Sequence, residues 1–100
     1  MNCSALIVTY NRLEKLKLTI ANTVKLNFTA IVVVNNGSTD GTQAWLATLS
    51  DPRVIVLNLP SNSGGAGGFK AGSQYLCDNV DSDWVFFYDD DAWPESDALE

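Results

Sequence analysis

Trp84-Val85-Phe86-Phe87-Tyr88-Asp89-Asp90-Asp91 decides the fold. The first five residues form a short aromatic run bounded by polar residues, the pattern of a buried β-strand. Three carboxylates follow at once, so they stand where that strand leaves its sheet. In open α/β sheets, ligands bind in the crevice outside the carboxyl ends of the strands. Adjacent like charges raise one another's pKa unless something neutralises them. A hard divalent cation such as Mg²⁺ or Mn²⁺ fits an all-oxygen donor set. A solvated acidic turn is the plainer reading of the same residues, and the other strand ends weigh against it.

Upstream, the chain alternates between apolar runs and helical patterns. Residues 3–9 (Cys-Ser-Ala-Leu-Ile-Val-Thr) read as a buried strand, and Tyr10-Asn11-Arg12 as a turn. Leu13, Leu16, Ile20 and Val24 recur at helical spacing, with Asn11 as the expected N-cap. Residues 30–34 (Ala-Ile-Val-Val-Val) carry β-branched side chains at consecutive positions, which suits a strand covered on both faces. Asn35-Asn36-Gly37-Ser38-Thr39-Asp40-Gly41 is turn chemistry, with Thr39 or Asp40 placed to cap a second helix whose Trp45, Leu46 and Leu49 face the core. Residues 54–57 predict a third strand, and residues 58–68 a glycine-rich loop. A third helix is expected from about residues 66–69 to Cys77, burying Phe69, Ser73, Leu76 and Cys77. This β-α-β-α-β-α-β order predicts an α/β Rossmann-like parallel sheet with helices on both faces. Each polar signature then falls at a strand's carboxyl end: residues 9–12, 35–40, 62–68 and 89–91.

Composition narrows the function. One hundred residues make a single small domain spanning 1–100, and 46% apolar content marks it as globular. The net charge is −6; nine of the twelve acids lie from Asp78 onward, and no Lys or Arg follows Lys70. A nucleic-acid surface needs a basic face, so nucleic acid is not expected as a partner. An acidic half facing a phosphorylated ligand needs a cation between them. Cys3 and Cys77 stand outside any CxxC pair and the chain has no His, which argues against zinc and against a Cys–His nucleophile. Both cysteines are expected to pack as small apolar residues in a reducing compartment. The N-terminus lacks a signal-peptide pattern, and no apolar stretch reaches the roughly 18 residues of a membrane span. A cytoplasmic protein is expected, with peripheral attachment to the inner face of a membrane left open.

The polar stretches each admit two readings. Gly65-x-Gly67 resembles half of a dinucleotide fingerprint, with Asp89 about 20 residues later as that motif requires. However, Lys70 occupies the third glycine's place, Pro60 lies between strand and loop, and no GK[ST] follows. What remains is a backbone N–H nest at a helix start, or a tight-packing loop. Thr9-Tyr10-Asn11-Arg12 combines a backbone edge, an aromatic face and a guanidinium, suited to a base and a phosphate, or to a capped turn. Asn35, Asn36 and Asp40 suit a base or ribose, or the turn itself.

Taken together, four stretches resemble the family 2 glycosyltransferases of GT-A fold. They are Ile7-Val8-Thr9-Tyr10-Asn11-Arg12, residues 34–42 (VNNGSTDGT), residues 62–69 (NSGGAGGF) and Asp89-Asp90-Asp91-x-x-Pro94-Glu95. They cover nearly the whole chain in the family's order. The triple Asp and the GGAGGF loop look most like the galactofuranosyltransferase and rhamnosyltransferase branch.

The resemblance implies the nucleotide-binding half of a GT-A fold, an N-terminal fragment that stops before the acceptor-binding half. Thr9, Tyr10 and Arg12 would hold the nucleotide of a UDP- or dTDP-sugar donor. Asn35 and Asn36 stand where the family usually carries an acid against the base or ribose, so an amide replaces a carboxylate. Asp89 and Asp91 match the DXD motif that binds ribose and Mn²⁺ or Mg²⁺, Asp90 would face the sugar, and Asn62, Gly65 and Gly67 would lie near the donor. The implied acceptor is a glycan or a lipid-linked glycan, the reaction is inverting and serves cell-wall or polysaccharide synthesis, and the general base lies beyond Glu100. The fragment alone is then expected to be inactive and to expose surface that favours self-association. Three rivals stand beside this reading: a non-catalytic nucleotide-binding module, an NAD-dependent oxidoreductase of Rossmann type, and a metal-dependent phosphoryl or nucleotidyl transferase.

Overall fold

The computed structural model describes residues 3–62, 64–80 and 83–89, with residues 65, 66, 88 and 89 in backbone only. Strands β1 (Cys3–Thr9), β2 (Ala30–Asn35), β3 (Val54–Asn58) and β4 (Trp84–Asp89) alternate with helices α1 (Leu13–Thr23), α2 (Thr42–Leu46) and α3 (Gly64–Asn79). All pairings are parallel and the strand order is β3-β2-β1-β4. The α/β Rossmann-like sheet expected from the sequence is therefore the observed one.

Strand order and helix placement have one cause. The chain steps outward from β1 to β2 to β3, then returns across the sheet to place β4 beside β1. With right-handed crossovers, reversing direction moves the connecting helix to the opposite face. Accordingly Leu16 and Ile20 of α1 and Leu46 of α2 pack with Ala5, Ile7, Ile31 and Val33. Leu76 of α3 packs with Leu6, Val8, Val32 and Val34 on the other face. Successive strand residues point to opposite faces, which is why β1 and β2 must be apolar at consecutive positions.

α1 buries Thr19 and Thr23 between its apolar positions. Each hydroxyl donates to the carbonyl four residues back, Lys15 and Thr19, so neither enters the core unsatisfied. At the amino edge of the sheet, the Arg53 guanidinium donates to the carbonyls of Val24, Leu26 and Phe28 and to the Asp51 carboxylate. It thereby ties the end of α1 to the start of β3. The same contact holds the Asp51 carboxyl below its usual value and raises Arg53.

The structure corrects four local expectations. α3 begins at Gly64, so the second half of the expected glycine loop is helix. Its buried face is Gly68, Gly72 and Leu76 at four-residue intervals, with Phe69 and Ser73 half-buried and Cys77 exposed. Cys77 thus does not pack in the core, and both cysteines are free thiols. β4 is less buried than its aromatic run predicts, although Val85 and Phe86 pack against the cores on opposite faces. β1 is its only neighbour among the described residues, and Trp84 and Phe87 remain 59% and 54% exposed. Asn11 is not the α1 cap, for reasons given below.

Glycine at 68 and 72 lets α3 sit close to β1. A Cβ at Gly68 would lie 2.6 Å from Cγ1 of Val8, and one at Gly72 would collide with Leu6. Two effects oppose each other in Gly68→Ala: helix propensity gains about 1 kcal/mol, while overpacking costs about 1–3 kcal/mol. Val8 is β-branched, strand-bound and rotamer-restricted, so it yields little and the overpacking wins. Gly68→Ala is expected to lower stability by up to about 2 kcal/mol in chemical denaturation, with the m-value unchanged. A stabilised variant would mean that α3 can shift away from β1 at no cost.

Candidate functional site

Strand order reverses at β1, which has β2 on one side and β4 on the other. The crevice at the carboxyl ends of β1 and β4 is therefore the topological switch point, where ligands of such sheets bind. The registers align the rim. Thr9 pairs with Asn35, Asn35 with Asn58, and Val8 with Asp89. The polar residues singled out in the sequence thus come to one edge from four separate strands.

The loop after β1 is shaped by the loop after β2. Asn11 adopts a left-handed backbone, φ 51°, which Asn tolerates better than most residues. Its backbone N–H donates to Ser38 Oγ at 3.0 Å, and its side-chain oxygen accepts the Thr39 N–H at 2.7 Å. Asn11 therefore clamps two loops together, while Arg12 holds the N-cap position of α1 without a side-chain cap bond. The cap comes from 27 residues away: Asp40 Oδ2 accepts the Leu13 N–H at 3.2 Å. Asp40 Oδ1 accepts the Thr42 N–H at 3.2 Å and the Thr42 hydroxyl. One carboxylate thus serves the N-termini of two helices, where backbone N–H groups lack partners and negative charge is favoured. The Thr42 hydroxyl bond, assisted by the Leu13 and Thr42 N–H groups, holds the Asp40 carboxyl below its ordinary pKa.

Asn35 and Asn36 face inward and are each 2% exposed. Asn35 Oδ1 accepts the Ser38 N–H at 3.1 Å, and its Nδ2 donates to Asn58 Oδ1 at 3.0 Å. Asn36 Nδ2 donates to Asn62 Oδ1 at 3.1 Å and to the Gly64 carbonyl at 2.9 Å. Both side chains join neighbouring loops across the rim. Thr9 is buried, and its carbonyl accepts the Asn36 N–H. Tyr10 is 43% exposed and Arg12 is exposed, so these two present side chains to solvent. Asn11, Arg12, Leu13, Glu14, Lys15 and Asp40 line an open cleft of about 470 Å³ beside them.

Asn62 and Gly64 to Gly68 carry the loop after β3 into α3, whose Gly68 lies against Val8 of β1, with Gly65 and Gly67 in the first turns of the helix. Asp89 ends β4 next to β1. Asp90 and Asp91 lie outside the described residues. Among the described residues, no group of three or more His, Cys, Asp or Glu side chains is arranged to hold a metal ion. The consecutive carboxylates that begin with Asp89 supply only oxygen, the donor type of Mg²⁺ and Mn²⁺. No helix among the described residues is long and apolar enough to cross a membrane.

The sequence offers Thr39 or Asp40 as the cap of α2; Gly41 holds that position in a left-handed backbone without a side-chain cap bond, while Asp40 reaches the Thr42 N–H from one residue before it and also bonds α1, which the sequence does not signal. Local patterning carries no trace of a partner 27 residues away. Asn58, the partner of Asn35, reads from sequence as the first residue of the glycine-rich loop, whereas it is the last residue of β3.

Residues 4–100 match the sequence profile of Glycosyl transferase family 2. Among solved structures, the mannosyltransferase PcManGT from Pyrobaculum calidifontis, in complex with GDP-Man and Mn²⁺, superposes with a TM-score of 0.78 at 23% identity. That comparison covers 96% of this chain and 29% of that one. Residues 1–349 of S. aureus TarS superpose with a TM-score of 0.73 at 27% identity, covering 99% of this chain and 30% of that one. The same protein in complex with UDP-GlcNAc gives 0.75 at 24% identity, with coverages of 99% and 29%. The chain thus spans less than a third of the solved structures that it resembles. No curated protein matches it.

Asp40 makes a test of the loop clamp. Its folded pKa is depressed, so its stabilisation is present above the unfolded value and is lost as pH falls through the folded value. Asp40→Asn should cost about 1 kcal/mol at neutral pH, the usual scale for a lost helix cap. The gap between variant and wild type should close below about pH 4, where an unfolded Asp protonates. A gap that persists unchanged at pH 2–3 in thermal melts would show that the carboxylate charge is not what the two helices use.

Proposed function

Because the chain belongs to glycosyl transferase family 2, we propose that it is the donor-binding portion of an enzyme that transfers a sugar from a nucleoside-diphosphate sugar to a glycan or lipid-linked acceptor, with inversion. The observation that carries this reading is the meeting of the Thr9–Arg12 loop and the Asp89 end of β4 at the switch point. The complexes of PcManGT with GDP-Man and Mn²⁺ and of TarS with UDP-GlcNAc support a nucleotide-sugar ligand for this fold. Free thiols at Cys3 and Cys77 favour a reducing, cytoplasmic setting. The galactofuranosyl and rhamnosyl branch, a role in cell-wall or polysaccharide synthesis, and a place at the inner membrane face remain parts of the proposal.

Each residue has a role in this reading. Tyr10 offers an exposed ring for the base, and Arg12 a guanidinium for a phosphate. Thr9 fixes the loop that carries both, through its carbonyl bond to Asn36. Asn35, Asn36 and Asn62 shape the rim, and Gly65 and Gly67 keep the first turns of α3 free of side-chain bulk beside the donor. Asp89 and Asp91 would hold Mn²⁺ or Mg²⁺, with Asp90 toward the sugar. When bound, the cation neutralises charge that develops on the departing diphosphate. An inverting transfer also needs a base for the acceptor hydroxyl; no residue of this chain is assigned that role, which the proposal puts beyond Glu100. The chain alone is therefore expected to bind donor without turning it over.

Calorimetry with UDP, GDP and dTDP, with and without Mn²⁺, tests the reading. At least one nucleoside diphosphate should bind, and only with metal; Asp91→Asn should weaken it by tenfold or more. Metal-independent binding of a nicotinamide dinucleotide, with none of the three bound, would overturn the proposal in favour of an oxidoreductase.

A further inference from the structure

The amide orientations at the rim follow from chemistry. The Gly64 carbonyl can only accept, so the Asn36 atom 2.9 Å from it must be the nitrogen. Asn62 Oδ1 accepts the Gly64 N–H at 2.8 Å, so the Asn62 atom facing Asn36 must be oxygen. Asn36 Nδ2 thus meets two acceptors, at 3.1 and 2.9 Å, from a side chain that is 2% exposed. A carboxylate at position 36 would turn lone pairs toward both and bury a charge against them. Gly37 adds a steric condition. Its φ is 79°, and a Cβ there would lie 2.5–2.6 Å from the backbone of Ser61 and Asn62. The loop after β2 and the loop before α3 therefore touch backbone to backbone, and the Asn36 amide is the bond across that contact.

We propose that Asn36 is a positioning residue: its amide, acting on Asn62 and Gly64, latches the first turn of α3 to the carboxyl end of β2 and so holds the glycine-bearing wall of the nucleotide site in its binding geometry. The inference rests on the donor-site reading above and extends it, because it assigns position 36 a role without ligand contact. It also explains why an amide stands there in place of an acid. The position must donate twice, which a carboxylate cannot do.

The test compares Asn36→Asp with Arg53→Met, which removes the guanidinium network at the opposite edge of the sheet. Both variants should lower the melting temperature. Calorimetric titration with whichever of UDP, GDP and dTDP the wild type binds, in the presence of Mn²⁺, should give a Kd raised at least tenfold for Asn36→Asp and less than twofold for Arg53→Met. Amide hydrogen exchange should accelerate at Asn62 and Gly64 to Gly68 in Asn36→Asp, with α1 unchanged. Equal weakening of binding in both variants would reduce Asn36 to general stability and overturn the proposal. So would wild-type affinity in Asn36→Asp despite faster local exchange. If the wild type itself binds none of UDP, GDP and dTDP, the donor-site reading falls first, and this inference falls with it; the wild-type titration alone distinguishes that case.

Discussion

The β1–β2 ladder is the constraint on which the rest of the structure depends. Six residue pairs run from Ser4 opposite Ala30 to Thr9 opposite Asn35, and the Asn36 N–H to Thr9 carbonyl bond carries the pairing one step past the strands. Both strands are covered by helices on each face, so almost every side chain in them is apolar. A polar group cannot stand within the ladder without a partner. Chemistry is thereby pushed to the ends, and parallel pairing sends all the carboxyl ends to one edge.

At that edge the polar residues divide by burial. Asn35, Asn36 and Thr9 are buried and engaged with neighbouring loops. Tyr10, Arg12 and Asp40 are exposed, and Asp40 braces two helix starts while lining the open cleft. The buried set fixes the backbone on which the exposed set stands. A loop already tied in place loses less entropy when it takes a ligand, so internal hydrogen bonds at the rim contribute to affinity without touching the ligand.

Much of the fold was legible because its cause is local. β-branched runs at residues 30–34, the helical spacing of Leu13, Leu16 and Ile20, and turn chemistry after each strand act within a few residues. β4 misled because an aromatic run reads as buried wherever it lies, whereas its exposure depends on having β1 as its neighbour on one side only. The start of α3 misled because glycine disfavours helix; here Gly68 and Gly72 are retained for close packing on Val8 and Leu6. At the site, the positions of the polar stretches were readable and their bonding was not. Asn11 looked like a cap and is a clamp, since the true cap of α1 is a carboxylate 27 residues on.

That last substitution of partners has a functional consequence. A helix capped by its own N-cap residue is independent of the next loop. α1 instead takes its cap from the loop after β2, and that loop is joined through Asn36 to the start of α3. The three segments around the carboxyl edge of the sheet therefore form one hydrogen-bonded assembly spanning both faces of the sheet. Arg12 and Tyr10 on one side and Gly65 and Gly67 on the other are held in register by the exposed Asp40 carboxylate and the buried Asn36 amide. In a ligand site built at a switch point, the two walls belong to helices on opposite faces, and a cross-rim connection of this kind is what sets their separation.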